Sequence, residues 1–361
     1  MAGVLDPHDL LLFMRGLARA FAGASFNRTR LDRALTNLAI AFPTWDEDRR
    51  REYAVRAYEH LFMLAGETAF VPRLLNDDAW RDRAELGNVT PALNALLDNR
   101  PAVLITGHSG NWELLGYTMS LLGFPLHALY RPLDLKPLDD WVRRTREQRG
   151  LTLVDKFVAG EDLPAIIEQG GTPAIVADQN AGDKGLFVPF FGRLASSYKS
   201  IGLLALRFNA PVICGTARRI VDPIHEPDDH QPTPQPQHRL AVTSQPAPLL
   251  EGTVRLHPGG LHYRIEIADI IRPEDYLVQP DPLFYLTARY RRGIETMIRR
   301  APEQYLWMHR YWRSRPRHEK LGRPFPGALR DKLQGLPWMT PAELERIEEF
   351  SRRDAAEATA R

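Results

Sequence analysis

The segment Ile105-Thr-Gly-His-Ser-Gly-Asn-Trp-Glu-Leu-Leu-Gly116 decides the fold. It follows an apolar run, Ala102–Thr106, that predicts a buried strand, and it passes through two glycines into a run that predicts a helix. Its polar residues therefore follow the carboxyl end of a strand, where open α/β proteins usually bind ligands. We expect the functional site in this segment.

Apolar strands and helical stretches alternate on the carboxyl side of this segment. Such a βα succession predicts an α/β fold with a mainly parallel, helix-covered central sheet. The predicted strands are Ala102–Thr106, Leu126–Tyr130, Thr152–Val154, Ala174–Ala177 and Val212–Cys214, and the predicted helices lie near 112–122, 136–148, 161–169, 197–208 and 282–299.

The composition divides the chain into regions around this core. Residues 1–95 form a predicted helical region, 96–316 the α/β core and 317–361 a basic and helical extension. A Pro- and Gln-rich stretch at 221–251 predicts a flexible surface insertion. Near the amino terminus, His8–Ala22 is amphipathic, and its apolar stripe suits either a membrane surface or the core of the domain.

Composition and charge exclude several classes of protein. The 361 residues are 44% hydrophobic and 25% charged, as in a folded globular protein. With 47 basic and 45 acidic residues, the net charge of +2 argues against a dedicated nucleic-acid partner. The single cysteine, Cys214, excludes an internal disulfide, the histidines near the insertion match no compact ligand set, and no metal site is predicted. No apolar run approaches the ~20 residues that span a bilayer.

His108 and Glu113 are the candidate catalytic pair. Glu113 is the only formally charged side chain between Pro101 and Tyr130, and a carboxylate in apolar surroundings needs a partner. If Glu113 accepts a hydrogen bond from one ring nitrogen of His108, the other nitrogen is left to take a proton. The alternative is a structural histidine at a strand end.

Four competing motifs fail on spacing. Gly107-His-Ser-Gly-Asn111 has asparagine where a nucleophile elbow requires glycine, which disfavours Ser109 as a nucleophile. The chain contains no His-Glu-x-x-His zinc motif. Neither a Walker loop nor a Gly-x-Gly-x-x-Gly fingerprint follows a strand, so nucleotide chemistry lacks support.

The same segment resembles a known family. Gly107–Glu113 is similar to the His-x4-Asp/Glu motif of the bacterial lipid A biosynthesis (Kdo-lipid IV A) acyltransferases and their relatives, the phosphatidylinositol mannoside acyltransferases. The resemblance covers about residues 30–316. It continues through Asn37–Pro43, Tyr130–Pro132, Asp178–Asn180 with Gly182, Phe187–Gly192 and Pro302–Arg310.

This resemblance implies a sheet of the glycerolipid-acyltransferase type and transfer of a fatty acyl chain from a thioester to a hydroxyl of a membrane glycolipid. The donor would be acyl carrier protein or coenzyme A, used as a co-substrate, with no bound cofactor. By motif position, His108 is the general base and Glu113 its partner. Loop amides around Ser109 to Asn111 are expected to stabilise the oxyanion, with Arg131 assisting or holding a phosphate. Asp178 and Asn180 are expected to line the same cleft, although turn-forming side chains would explain them equally.

A basic, aromatic stretch closes the core. Between His309 and Leu333, eight basic residues outnumber two acids, and aromatic residues are interleaved with them. Such a mixture favours contact with an anionic membrane surface, although a solvated tail beyond a core anchor is the alternative. The expected membrane-contact residues are Arg313, Arg315, Arg317 and Lys320.

Many members of the family carry an amino-terminal transmembrane helix that this sequence lacks. We therefore expect peripheral attachment at the cytoplasmic face of the inner membrane. The acceptor lipid stays open between a lipid A precursor and a phosphatidylinositol mannoside-like lipid. Two further hypotheses are a thioester hydrolase, in which water replaces the hydroxyl, and a catalytically silent lipid-binding protein.

Overall fold

A computed structural model describes residues 7–68, 80, 83–97, 101–132, 134–147, 150–156, 159–220 and 262–359. The predicted insertion at 221–251 lies outside these residues. In the described part, a seven-stranded sheet has the order β1-β9-β8-β2-β5-β3-β4, and a two-stranded hairpin pairs β6 with β7. The strands are β1 Ala84–Leu86, β2 Val103–Thr106, β3 Leu126–Tyr130, β4 Thr152–Asp155, β5 Thr172–Val176, β6 Leu186–Phe190, β7 Arg193–Ser197, β8 Val212–Arg219 and β9 Tyr263–Ile271.

Neighbours in the large sheet are parallel, apart from β8 and β9, which run antiparallel. This confirms the predicted mainly parallel, helix-covered α/β fold with amino-terminal helices. The helices are α1 Pro7–Gly23, α2 Arg28–Ala41, α3 Glu47–Thr68, α4 Thr90–Leu97, α5 Trp112–Leu121, α6 Lys136–Glu147, α7 Ala159–Glu168, α8 Lys199–Phe208, α9 Pro273–Tyr276, α10 Pro282–Arg300, α11 Arg317–Lys320, α12 Gly327–Gln334 and α13 Pro341–Thr359.

The pattern of side chains explains where these elements pack. Val103 and Ile105 lie on one face of β2 and are buried in the main core, whereas Leu104 on the opposite face packs against two smaller hydrophobic clusters. Asp281 caps the amino terminus of α10, where its side chain accepts from the Phe284 amide at 3.0 Å. The apolar stripe of α10 lies against the sheet. Residues of the amino-terminal helices, the sheet and α13 share one hydrophobic cluster.

The amphipathic first helix packs on the core of the domain, as one of its two interpretations expected, and the membrane-surface interpretation stays a prediction. Leu11 and Ala18 of α1 are buried, and α1 packs on α3. On another face, Leu12, Phe13 and Leu17 are 46%, 64% and 44% exposed. None of the described helices is both long and apolar enough to pass through a bilayer.

The expected basic and aromatic membrane contact is corrected by the structure. Its aromatic residues Tyr305, Trp307, Tyr311 and Trp312 are buried in the core, each at most 7% exposed. Basic residues alternate with them because the segment lies along the protein surface with one face turned inward.

Arg315, one of the predicted membrane-contact residues, belongs to that inward face. It forms ion pairs with Glu319 at 2.7 Å and Asp354 at 2.8 Å, and Nη1 donates to the Leu194 carbonyl. Lys320 pairs with Asp183 at 2.7 Å. Arg313 and Arg317 are exposed, and neither forms an ion pair with any residue that the structure describes.

Candidate functional site

The loop between β2 and α5 carries the candidate base. Residue pairing in the sheet places Thr106 of β2 opposite Val176 of β5. Two residues beyond each of these lie His108 and Asp178, which therefore meet at the carboxyl edge of the sheet. The tight turn requires glycine at residue 110, where φ is +63° and a Cβ atom would lie 2.2 Å from the Ala217 carbonyl oxygen.

His108 is held by Asp178 through two hydrogen bonds. Its Nδ1 lies 2.7 Å from Asp178 Oδ1, and its backbone amide donates to Oδ2 at 3.0 Å. The Asp178 side chain is fully buried, whereas that of His108 is 19% exposed. A carboxylate accepts hydrogen bonds only, so Nδ1 carries the proton and Nε2 is left as the basic atom.

The electrostatics of the pair match this assignment. Burial by itself lowers the pKa of His108, but the hydrogen-bonded Asp178 carboxylate outweighs it and raises the pKa, with a smaller contribution from Glu113. Burial likewise opposes ionisation of Asp178, yet its bonds to His108 lower the pKa of that carboxyl to about 2. Asp178 is therefore charged throughout the physiological range.

The predicted hydrogen bond between His108 and Glu113 is replaced by the bond to Asp178. Glu113 lies in the first turn of α5, and its carboxylate is held by another helix. Arg146 of α6 donates to it with Nε at 2.7 Å and Nη2 at 2.5 Å, and Trp112 Nε1 donates at 3.0 Å. Glu113 thus acts on His108 through its charge, while its oxygens are engaged elsewhere.

Two residues that sequence analysis did not single out complete the surroundings of the pair. The amide nitrogen of Gln179 lies 3.5 Å from His108 Nε2. On the buried side, Arg291 of α10 donates to the Asp178 carbonyl at 2.6 Å, and its guanidinium stacks 3.9 Å from the centroid of the Phe190 ring. Gln179 directly follows Asp178 after β5, which was the available signal. The sequence gives no comparable signal for Arg291, because no local pattern distinguishes a buried arginine on an amphipathic helix from an exposed one.

The expected oxyanion donors in the loop are occupied. The Gly110 amide donates to the Gln304 carbonyl at 3.0 Å, and the Asn111 amide donates to the Ala217 carbonyl at 2.7 Å. Ser109 is buried, and its carbonyl accepts from the Thr216 hydroxyl at 3.0 Å. These bonds fix the loop that carries His108 and correct the assignment of the Gly110 and Asn111 amides to substrate.

The side chain of Asn111 is also structural. Its oxygen caps α5 by accepting from the Leu114 amide at 2.9 Å, and its nitrogen donates to Glu67 at 3.0 Å. Glu67 is buried beside Arg219, with Oε1 and Nη1 2.5 Å apart, and it also accepts from the Tyr263 hydroxyl. A buried ion pair therefore anchors the functional loop from behind, a contact between α3 and β8 that sequence spacing does not indicate.

The remaining predicted residues lie at the same edge of the sheet. Arg131 ends β3, next to β5, and its side chain is 64% exposed with Asp134 at 3.9 Å. Asn180 exchanges hydrogen bonds with the amide and hydroxyl of Ser314, each at 3.2 Å. Asn180 thus braces the loop after β5, and a substrate contact for Arg131 stays a prediction. In the described part of the chain, no three His, Cys, Asp or Glu side chains are arranged to hold a metal ion.

The carboxyl edge of the α/β sheet thus presents a histidine backed by a buried carboxylate, an arrangement suited to general-base chemistry. Residues 4–225 match the model of the family described as bacterial lipid A biosynthesis acyltransferase. The chain belongs to this family and is an acyltransferase.

Individual relatives agree with the family match. The chain is 25% identical over 318 residues to the lipid A biosynthesis palmitoleoyltransferase of Escherichia coli (strain K12), covering 86% of this chain and 87% of that protein. The same figures hold for the lipid A biosynthesis acyltransferase of Shigella flexneri. The lipid A biosynthesis acyltransferase of Haemophilus influenzae is 22% identical over 186 residues, or 50% of this chain and 57% of that protein.

Proposed function

We propose that this acyltransferase moves a fatty acyl chain from a thioester to a hydroxyl of a lipid A-type glycolipid, with His108 as general base. The observation that carries the proposal is the bond between His108 Nδ1 and Asp178, which leaves Nε2 as the nitrogen that can accept a proton, on a side chain that is 19% exposed. Family membership supports acyl transfer to a lipid A-type glycolipid, and the thioester donor is part of the proposal.

The proposed reaction has a single displacement at the thioester carbonyl. The acceptor hydroxyl gives its proton to His108 Nε2 while its oxygen bonds to the carbonyl carbon. The tetrahedral intermediate then collapses, the carbon–sulfur bond breaks, and the proton on His108 passes to the departing thiolate. Asp178 stabilises the imidazolium that forms between these steps, as its position 2.7 Å from Nδ1 allows.

Peripheral attachment at the cytoplasmic face of the inner membrane is part of the proposal. Support comes from the exposed apolar side chains of α1 and from Phe26, which is 72% exposed just beyond that helix. An amphipathic helix with such a face binds at a membrane interface, and the exposed Arg313 and Arg317 favour anionic lipid.

Product analysis tests the proposed function. Purified protein is incubated with a long-chain acyl thioester of acyl carrier protein, and separately of coenzyme A, with and without a lipid A precursor. Mass spectrometry showing acylated lipid only when both substrates are present supports the proposal and identifies the donor. Free fatty acid alone would instead indicate a thioester hydrolase, and unchanged substrates would indicate a lipid-binding protein.

A pH profile gives a second expected outcome. His108 must be neutral to accept a proton, so kcat/KM should rise with pH as the imidazolium loses its proton. Because Asp178 raises the pKa of His108, the midpoint should lie above the ordinary value of 6.5. Rates measured from about pH 5 to about pH 9 check this expectation. A midpoint below 6.5 would contradict the assigned pairing.

A further inference from the structure

A group of arginines lies beside the functional site and takes no part in the reaction described above. Arg30 and Arg33 are three residues apart on α2 and share one face of that helix. Arg33 Nη1 donates to the Met308 carbonyl at 3.1 Å, which brings α2 against the turn that carries Arg310. These three residues, Arg30, Arg33 and Arg310, are called the arginine cluster below.

The arginine cluster is fixed in place by a buried asparagine. Asn37, one helical turn beyond Arg33, donates through Nδ2 to the carbonyls of Trp307 at 2.7 Å and His309 at 2.8 Å. The helix and the turn after the 3-10 helix Pro302–Gln304 therefore form one rigid unit. The site for an anion is built before any ligand arrives.

His309 connects the arginine cluster to the functional site. Burial lowers the pKa of His309, and the charges that act on it include Asp178 and His108 on one side and Arg33 and Arg310 on the other. A half-buried ring thus lies within electrostatic range of both groups. Backbone geometry gives the same link, because the Leu306 amide donates to the His108 carbonyl at 3.1 Å and the His309 amide donates to the Leu306 carbonyl at 3.2 Å. The turn that carries Arg310 is thus hydrogen-bonded to the loop that carries His108.

Among the residues that the structure describes, no carboxylate neutralises the positive charge of the cluster. Arg30 and Arg310 are exposed, and across the described ranges none of the three guanidiniums has a carboxylate oxygen within 4.0 Å. Burial lowers the pKa of Arg33, and repulsion from Arg310 and Arg30 lowers it further. By contrast, Arg315 is neutralised by Glu319 and Asp354. Gathering like charges without compensation costs free energy that a bound anion recovers.

We infer that the arginine cluster binds a phosphate group of the substrate and so positions the reacting end at His108. Guanidinium groups suit this ligand, because their N–H donors match phosphate oxygens in pairs. The phosphate has two possible sources: the sugar headgroup of the acceptor or the phosphopantetheine arm of the donor. The inference rests on the proposed function, since it assigns part of a substrate to that site.

Binding measurements test the inference without requiring turnover. The probe is a phosphorylated glucosamine disaccharide lipid in detergent micelles, compared with the same lipid after phosphatase treatment. The test variant is the double change Arg30→Gln with Arg310→Gln, because both side chains are exposed and the fold does not depend on them. Arg28→Gln is the matched control, an exposed arginine on α2 that lies outside the cluster.

Wild-type protein and the Arg28→Gln control should bind the phosphorylated lipid roughly 10- to 100-fold more tightly than the dephosphorylated lipid, as charge-assisted hydrogen bonds allow. The double variant should lose that preference. A second arm of the experiment tests the donor and compares the binding of acyl-coenzyme A with that of an acyl thioester of N-acetylcysteamine, which has no phosphate. A loss confined to acyl-coenzyme A would assign the phosphate to the donor.

Equal affinity of wild type and double variant for the phosphate-bearing probe in both arms would overturn the inference. Its failure is distinguishable from failure of the proposed function. Acylated lipid formed at the wild-type KM by the double variant would reject the cluster and leave the reaction standing. Phosphate-dependent binding without acyl transfer would reject the proposed reaction and leave the arginine cluster as a phosphate site.

Discussion

Asp178→Asn should lower kcat/KM for acyl transfer roughly 10³- to 10⁴-fold. Asp178 accepts from two donors of His108, the ring Nδ1 and the backbone amide, with one oxygen for each. Asparagine has one acceptor and an NH₂ group, so one of the two His108 donors would face another donor. The variant also loses the negative charge that stabilises the imidazolium.

The pH profile distinguishes this role from a merely structural one. Without the Asp178 carboxylate, the midpoint for His108 should move to lower pH, because its pKa is no longer raised by that charge. Glu113→Gln should move the midpoint less, since Glu113 contributes less to the same pKa. Asp183→Asn is a suitable control, because its 67% exposed carboxylate pairs with Lys320. An Asp178→Asn enzyme with more than about a tenth of normal kcat/KM would contradict the pairing.

The largest effect on stability is expected from Glu67→Gln. Arg219 is 4% exposed, and the variant would leave its guanidinium charged and buried without a carboxylate. Removing one partner of a buried ion pair lowers the free energy of unfolding by about 3–5 kcal/mol. Loss of the negative oxygen also weakens the bond from Asn111, which caps the helix after the catalytic loop. Urea unfolding followed by circular dichroism measures the change.

A matched variant on the same helix controls for loss of a glutamate. Glu52 of α3 is 52% exposed and pairs with Arg56, so Glu52→Gln should change the free energy of unfolding by less than about 1 kcal/mol. Removing the buried charge as well, as Glu67→Gln with Arg219→Met, should recover much of the loss, because no buried charge then remains and the amide oxygen still accepts from Asn111 and Tyr263. A Glu67→Gln protein as stable as the Glu52→Gln control would show that the buried pair does not anchor the loop.

Sequence analysis located the site but not its partner residue. The apolar run before Gly107 and the helix after Asn111 place His108 at a strand end, which the structure confirms. The neighbour of that strand is β5, and strand order depends on long-range packing that local periodicity does not encode. Asp178 was therefore expected in the cleft, while the hydrogen bond was assigned to the carboxylate nearest in sequence, Glu113.

The same dependence on long-range packing explains why the burial of the basic, aromatic segment was not predicted. Alternating basic and aromatic residues look alike whether the aromatic rings face a membrane or the protein core. Here Trp307 and Tyr311 are fully buried, and Arg315 lies under α13, a helix that begins 26 residues further along the chain. Which face is covered depends on that later helix. The antiparallel strand β9 was not predicted, because it follows the insertion and interrupts the alternation of strands and helices.

Acyl transfer by the His108→Ala protein tests the central claim most directly. The assay measures acylated lipid formed from an acyl thioester and a lipid A precursor, with circular dichroism and lipid binding recorded on the same preparation. If His108 is the general base, the rate should fall about 10²- to 10⁴-fold while fold and lipid binding are unchanged. Near-normal turnover by a folded His108→Ala protein would contradict the assignment.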